Sequence, residues 1–213
     1  MRMSLPETAS RDRLADEAKP RARGRKSEKK KLEIMRAAIE IINAKSFALA
    51  TMTEIAASLD LRDATLYYYF PNKQALVYEC HVASLERFER LLGETDAAGG
   101  TGIEKLRSFL RSFLKDSYIN GQQLYFGDYS YLEEAQRGWI TARADRLKDT
   151  LEAFLRQGMS DGSVVECEPE LVVQLLLGTL IWLAKWAPNS KDLTLARLNA
   201  AIEAFAFHGL ESR

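Results

Sequence analysis

Cysteine and histidine are scarce in this chain, and their scarcity removes several classes of chemistry. Only Cys80 and Cys167 are present. They lie far apart with no metal-ligand spacing, which excludes a disulfide framework or a zinc module and suits a reducing cytoplasm. His81 and His208 are the only histidines, and neither sits in a catalytic motif. No glycine-rich phosphate loop appears, so the expectation is a binding protein, not an enzyme, with no cofactor and no metal. His81 beside Cys80 reads as a surface imidazole next to a structural thiol, because two ligands without a second pair make a poor metal site. Uninterrupted apolar runs are lacking too. The most apolar stretch, PELVVQLLLGTLIWLAKW, is broken by Gln174, Gly178, Thr179 and Lys185 and is too short for a membrane span. No apolar core of a secretion signal occurs near the amino end. The reading is therefore cytoplasmic, with no membrane partner.

Net charge is also absent, at +0, but the balance is local rather than uniform. Eight basic residues and one acidic residue fall between Lys19 and Lys31. Such asymmetry marks a nucleic-acid-binding end. Residues 1–27 are charged, carry Pro6, Pro20 and Gly24, and read as a disordered basic arm. Its RARGR segment, residues 21–25, suits entry into a minor groove or a plain solvated tail. A helix over residues 28–45 follows, with Leu32, Met35, Ile39 and Ile42 at helical spacing.

Residues 51–73, TMTEIAASLDLRDATLYYYFPNK, organise the rest. Thr51 and Glu54 have capping-box spacing, Asp60 tolerates the left-handed backbone of a tight turn, and Pro71 ends the second helix. Two helices of about two turns each match a DNA-binding helix-turn-helix. Leu66 and Phe70 share one face of the second helix. Tyr67, Tyr68 and Tyr69 are consecutive, so at about 100° per residue they cannot all point inward. Phenols beside Thr65 and Lys73 suit phosphate oxygens and thymine methyls. Asn72 is a good N-cap, but Lys73 has no dipole reason to open a helix.

Thr51-Met-Thr-Glu-Ile-Ala56, Thr65-Leu-Tyr-Tyr-Tyr-Phe70 and Pro71-Asn-Lys-Gln-Ala-Leu76 together resemble the TetR family of bacterial transcriptional regulators, across residues 28–80. The resemblance implies an all-α fold of about nine helices. A three-helix DNA-binding unit (residues 28–73) would precede a helical ligand-binding and dimerisation domain (residues 74–213). It also implies a homodimer that represses from a double-stranded DNA operator until a small ligand binds. Thr51, Thr53, Arg62, Asp63, Ala64, Thr65, Tyr67, Tyr68, Tyr69 and Lys73 become the DNA-facing set, with Lys73 on a phosphate. Asp60 stands where the family usually has glycine, and Arg62-Asp63-Ala64 where Ser-Lys-Gly or similar is common. The bases chosen at those positions are therefore not transferable from relatives. The rival reading is a helical protein-interaction adaptor, which would need neither Lys73 at a helix start nor a basic arm.

Beyond residue 73 the chain reads as a helical bundle. A fourth helix runs to about Leu92, with a loop from Gly93 to Gly102. Later helices are expected near residues 103–120, 136–159, 168–187 and 192–208, with Gly121 and Gly127 as breaks. Phe109, Phe113, Tyr125, Tyr129, Trp139 and Trp182 either line an apolar ligand pocket or pack as plain core. With no charge cluster nearby, the implied effector is hydrophobic, with at most one polar end. The helix from Glu168 is apolar nearly all round and must be covered on both sides. Leu176, Gly178, Leu198, Ile202 and Phe205 are the expected dimer face, forming four helices from two copies.

Overall fold

The computed structural model describes residues 11–124, 129–187 and 190–208. Among them are eight α-helices: α1 (Arg11–Lys45), α2 (Met52–Ala57), α3 (Asp63–Tyr69), α4 (Lys73–Ala98), α5 (Gly102–Asn120), α6 (Glu134–Asp161), α7 (Pro169–Trp186) and α8 (Leu195–Ile202). A wider-wound stretch, Glu203–Phe207, continues α8. The all-α expectation holds, with eight helices in place of about nine.

Helix α1 starts well before residue 28. Residues 11–27 are thus helical, not the disordered arm expected; residues 1–10 lie outside the described part. Ala, Arg and Lys make up most of residues 11–27 and, unlike Pro20 and Gly24, are good helix formers. Their propensity outweighs the charge density that suggested disorder. Leu32 is exposed, while Ile34, Met35, Ala38, Ile39 and Ile42 form the buried stripe of α1.

Two apolar cores result. The first joins α1, α2 and α3 with the start of α4, through Ile34, Ile55, Leu66, Phe70, Leu76 and Cys80. The second joins α4 to α8, through Leu85, Phe88, Phe109, Ile140, Phe154 and Phe207. Helix α4 belongs to both and is the one continuous rod between them. Its N-cap is Asn72, whose side chain accepts from the Ala75 amide at 2.8 Å. The helix passes through Gly93 and stops at Gly99, so the loop expected from Gly93 is shorter. An interior glycine costs about 1 kcal/mol against alanine, which a long packed helix absorbs. Helices α5 and α6 cross closely at their ends: a Cβ on Gly102 would lie 2.2 Å from the Gly158 backbone nitrogen. Only glycine permits that approach.

At the junction of the cores, His81 is fully buried, not on the surface as expected. Its Nε2 lies 2.7 Å from the Tyr131 hydroxyl. Burial lowers its pKa to about 4, so the ring is neutral at physiological pH. Burial also pushes the neighbouring Cys80 thiol up; its sulfur faces the Met35 carbonyl at 3.6 Å. Both groups pack the junction and are inert there.

Candidate DNA-reading face and ligand cavity

The geometry of α2 and α3 follows from local rules. The Thr51 hydroxyl accepts from the Glu54 amide at 3.1 Å and caps α2. The reciprocal half of the expected capping box is replaced: the Glu54 carboxylate pairs with Lys45 instead. Asp60 adopts φ +53° in the turn, the left-handed conformation for which a glycine is the usual choice. The Leu61 amide then bonds back to the Ala56 carbonyl at 2.9 Å, setting the angle between the helices.

Helix α3 buries Leu66, with Phe70 just beyond it, and turns the rest outward. Tyr68 is 80% exposed and Tyr67 half exposed. Thr65 and Tyr69 are half-buried, and Arg62, Asp63 and Ala64 are exposed. Tyr69 meets Tyr68 edge to face. Thr51 and Thr53 are exposed at the start of α2. The Thr53 hydroxyl donates to the Asp63 carboxylate at 2.7 Å. That bond ties the amino ends of the two short helices and occupies one Asp63 oxygen, which weakens the reading of Asp63 as a free acceptor for cytosine. Of the expected set, Thr51, Thr53, Arg62, Asp63, Ala64, Tyr67 and Tyr68 are thus exposed, and Lys73 is half-buried. The Lys73 ammonium turns inward to the Phe47 and Ala50 carbonyls, at 2.8 and 2.9 Å, and lies 4.2 Å over the Phe47 ring. The sequence reading lacked this contact, which alone accounts for a cation in the first turn of α4.

In the second core, α4, α5, α7 and α8 line a partly open cavity of about 340 Å³. Its wall includes Phe88, Phe113, Leu177, Leu180, Ile181 and Leu198, with Ser117, Tyr118, Gln122, Gln123 and Thr194 as polar members. Among the described residues no charged side chain lines it. A second cavity of about 280 Å³ shares Phe88, Leu177 and Ile181, and its wall holds Tyr129, Asp145 and Lys148. Of the six residues expected in a ligand pocket, Phe113 lines the first cavity and Tyr129 the second. Phe109 is buried, its ring tilted against those of Phe88 and Phe113. Trp139 and Trp182 are exposed instead, Trp139 against Tyr78 and Arg143. Tyr125 and Gly127 lie outside the described residues. Composition alone missed Gln123 and the inner face of α7, because a polar residue after a glycine reads as loop.

The dimer expectation is rephased as well. Leu176 and Ile202 turn into their own core, and Leu198 lines the first cavity. Gly178 and Phe205 are exposed, Phe205 at 77%. With them Leu171, Leu175 and Trp182 stand out, at 55%, 73% and 64%. Along α7 the positions 171, 175, 178 and 182 fall on one face. An apolar helix has no sequence phase, so only packing decides which side is inner.

Near the junction, Arg87 donates to the Asp116 carboxylate at 2.9 Å, and Arg90 reaches its other oxygen at 3.1 Å. Burial raises the Asp116 carboxyl, but the Arg87 and Asn120 hydrogen bonds and the nearby cations override it and leave the pKa below the ordinary value. Among the described residues no group of acidic, histidine or cysteine side chains has metal-binding geometry, and no helix is long and apolar enough to cross a membrane.

Residues 34–80 match the family model for bacterial regulatory proteins of the tetR family, and residues 99–210 the model for tetracyclin repressor-like C-terminal domains. The fatty acid metabolism regulator protein of Bacillus subtilis (strain 168) is 22% identical over 198 residues, covering 86% of this chain and 97% of the relative. The ketosteroid transcriptional regulator KstR2 of Mycobacterium tuberculosis superposes with a TM-score of 0.68 at 17% identity, over 86% of this chain and 96% of that one. AibR in complex with isovaleryl coenzyme A and operator DNA gives 0.67 at 22% identity, over 82% and 96%.

Proposed function

The chain belongs to the tetR family of bacterial regulatory proteins, and from that premise we propose that it is a homodimeric repressor released from its operator by an acyl thioester. Residues 28–73 read DNA and residues 74–213 bind effector and partner. The exposed phenols of Tyr67 and Tyr68 and the side chains of Arg62 and Thr65 meet the duplex, with α3 in the major groove. The exposed face of α7 and Phe205 meet a second copy, which sets the two recognition helices about 34–36 Å apart.

The observation that carries the ligand assignment is the apolar cavity between α4, α5, α7 and α8, uncharged among the described residues. Its size falls in the range of small-molecule sites, about 300–1,000 Å³. A buried carboxylate would lack a counter-ion there, which favours a neutral head on an apolar chain. The isovaleryl coenzyme A of the AibR complex, beside a relative named for regulating fatty acid metabolism, favours a thioester, whereas a steroid ketone is the second candidate. The cavity sits against α4, the rod shared by both cores. Ligand there favours a dimer geometry whose recognition helices miss the half-site spacing.

The test is fluorescence anisotropy on a fragment of the neighbouring promoter, with isovaleryl and palmitoyl coenzyme A, palmitate and a steroid ketone added in turn. One thioester is expected to weaken operator binding roughly 5- to 150-fold, the usual size of such coupling. A panel that neither releases DNA nor shifts the melting temperature would remove the assignment.

A further inference from the structure

Residues 121–124, directly after α5, face the cavity on one side and the DNA-reading unit on the other. Gln122, Gln123 and Leu124 all line the cavity. The Gln123 side chain is 6% exposed, and neither its Nε2 nor its Oε1 has a hydrogen-bond partner. An amide buried without partners forfeits its hydration, and native structures seldom leave one so without a reason. Among the described residues the wall around it holds no charge, so an ionised head would lack a counter-ion there. A neutral carbonyl fits: it takes an Nε2 hydrogen, and an N–H or O–H on the same molecule can satisfy Oε1. An acyl thioester of coenzyme A carries both, the thioester oxygen and the first amide of its pantetheine arm, and the partly open cavity leaves its ionised phosphates in solvent.

The same residues are fastened to the reading unit. The Gln123 carbonyl accepts from Asn43 Nδ2 at 2.9 Å, and Gln122 Oε1 accepts from that nitrogen at 3.2 Å. Asn43 is buried near the end of α1. The Leu124 amide donates to Ser84 Oγ on α4 at 2.9 Å. The Leu124 side chain lies in the helix-turn-helix core rather than the effector core. Arg87, itself held by Asp116, donates to the Gly121 carbonyl at 2.8 Å.

We propose that Gln123 is the polar anchor for the effector's neutral carbonyl, and that residues 121–124, pinned to α1 through Asn43, pass its displacement into the helix-turn-helix core. This rests on the reading of the protein as a ligand-released repressor. Ligand pulls the Gln123 side chain toward the cavity; its backbone and Leu124 follow; α1 and α4, which hold α2 and α3, shift with them. Asn43 is a positioning residue in this scheme, while Gln123 touches ligand.

The experiment compares palmitoyl coenzyme A with S-hexadecyl coenzyme A, a thioether lacking only the carbonyl oxygen, on the full-length protein with and without operator. Wild type is expected to bind the thioester about tenfold more tightly, the size of one buried hydrogen bond. Gln123→Leu should bind both probes equally, and its retained thioether binding reports that it is folded. Asn43→Ala should keep thioester affinity within about threefold, while the loss of operator affinity at saturating thioester shrinks to about twofold. Ser84→Ala, which loosens the same segment at Leu124, repeats that measurement should Asn43→Ala melt early. Equal affinity of wild type for the two probes, with DNA still released, overturns the anchor alone. Undiminished release in both Asn43→Ala and Ser84→Ala overturns the relay. A wild-type protein that binds neither probe, nor isovaleryl coenzyme A, overturns the effector reading and the anchor together.

Discussion

Leu175→Glu and Trp182→Glu are each expected to yield folded monomers whose operator affinity falls on the order of 100-fold or more. Both side chains stand largely in solvent on α7, so neither substitution disturbs the protein's own core. Burial of a large apolar side chain contributes about 1.5–3 kcal/mol, and a two-fold axis uses each one twice. A glutamate at the centre of that face would lose its hydration without a counter-ion, a further penalty of several kcal/mol. Monomers lose DNA affinity because the second half-site is no longer held near the first, an effective-concentration effect of about 10²–10⁴. Analytical ultracentrifugation and operator titration read both consequences. The control is Leu176→Glu, one residue along but buried. It should unfold the bundle rather than split it, with a loss of more than about 3 kcal/mol. Dimers that persist in both surface variants would move the interface elsewhere.

That one-residue contrast also shows what was legible in the sequence. Helix α3 was readable because its apolar positions are few: Leu66 and Phe70 fix the inward side, and the tyrosines follow outward at 100° per residue. The turn was readable because Asp60 is one of the few residue types at ease with positive φ. Helix α7 was not, since leucine, valine and tryptophan occupy nearly every side and periodicity carries no phase. Hence the sequence points Leu176 and Ile202 outward and Trp182 inward, the reverse of their burial in the fold. Aromatic content in the middle of the chain likewise marked an apolar region without locating its space. Phe109 fills the core, while Gln123, polar and in a loop, reaches the cavity. A segment bonded to Asn43, far away in the chain, has no local signature.

Lys73→Met separates two roles for a residue that a resemblance places on phosphate and the structure places under a turn. Its ammonium bonds two main-chain carbonyls, those of Phe47 and Ala50, and lies over the Phe47 ring. Hydrogen bonds from a charged donor contribute about 1.5–3 kcal/mol each, and the ring contact about 0.5–1 kcal/mol at a half-exposed site. Against this stands the helix dipole, which disfavours a cation in the first turn by about 0.3–1 kcal/mol. Partial solvent exposure reduces the gain, leaving a net stabilisation of about 2 kcal/mol. Methionine keeps the stem packing and removes the charge, so the variant should lose about that much in denaturant unfolding. The chain segment before α2 would loosen, and operator affinity would fall because α2 and α3 are no longer held at one angle. The slope of log affinity against log salt should stay unchanged, since no phosphate contact is lost. A phosphate-binding lysine predicts the opposite pair: wild-type stability and a slope reduced by about 1. Variant protein that melts with wild type yet binds with the shallower slope would return Lys73 to the DNA surface and leave the turn without its clamp.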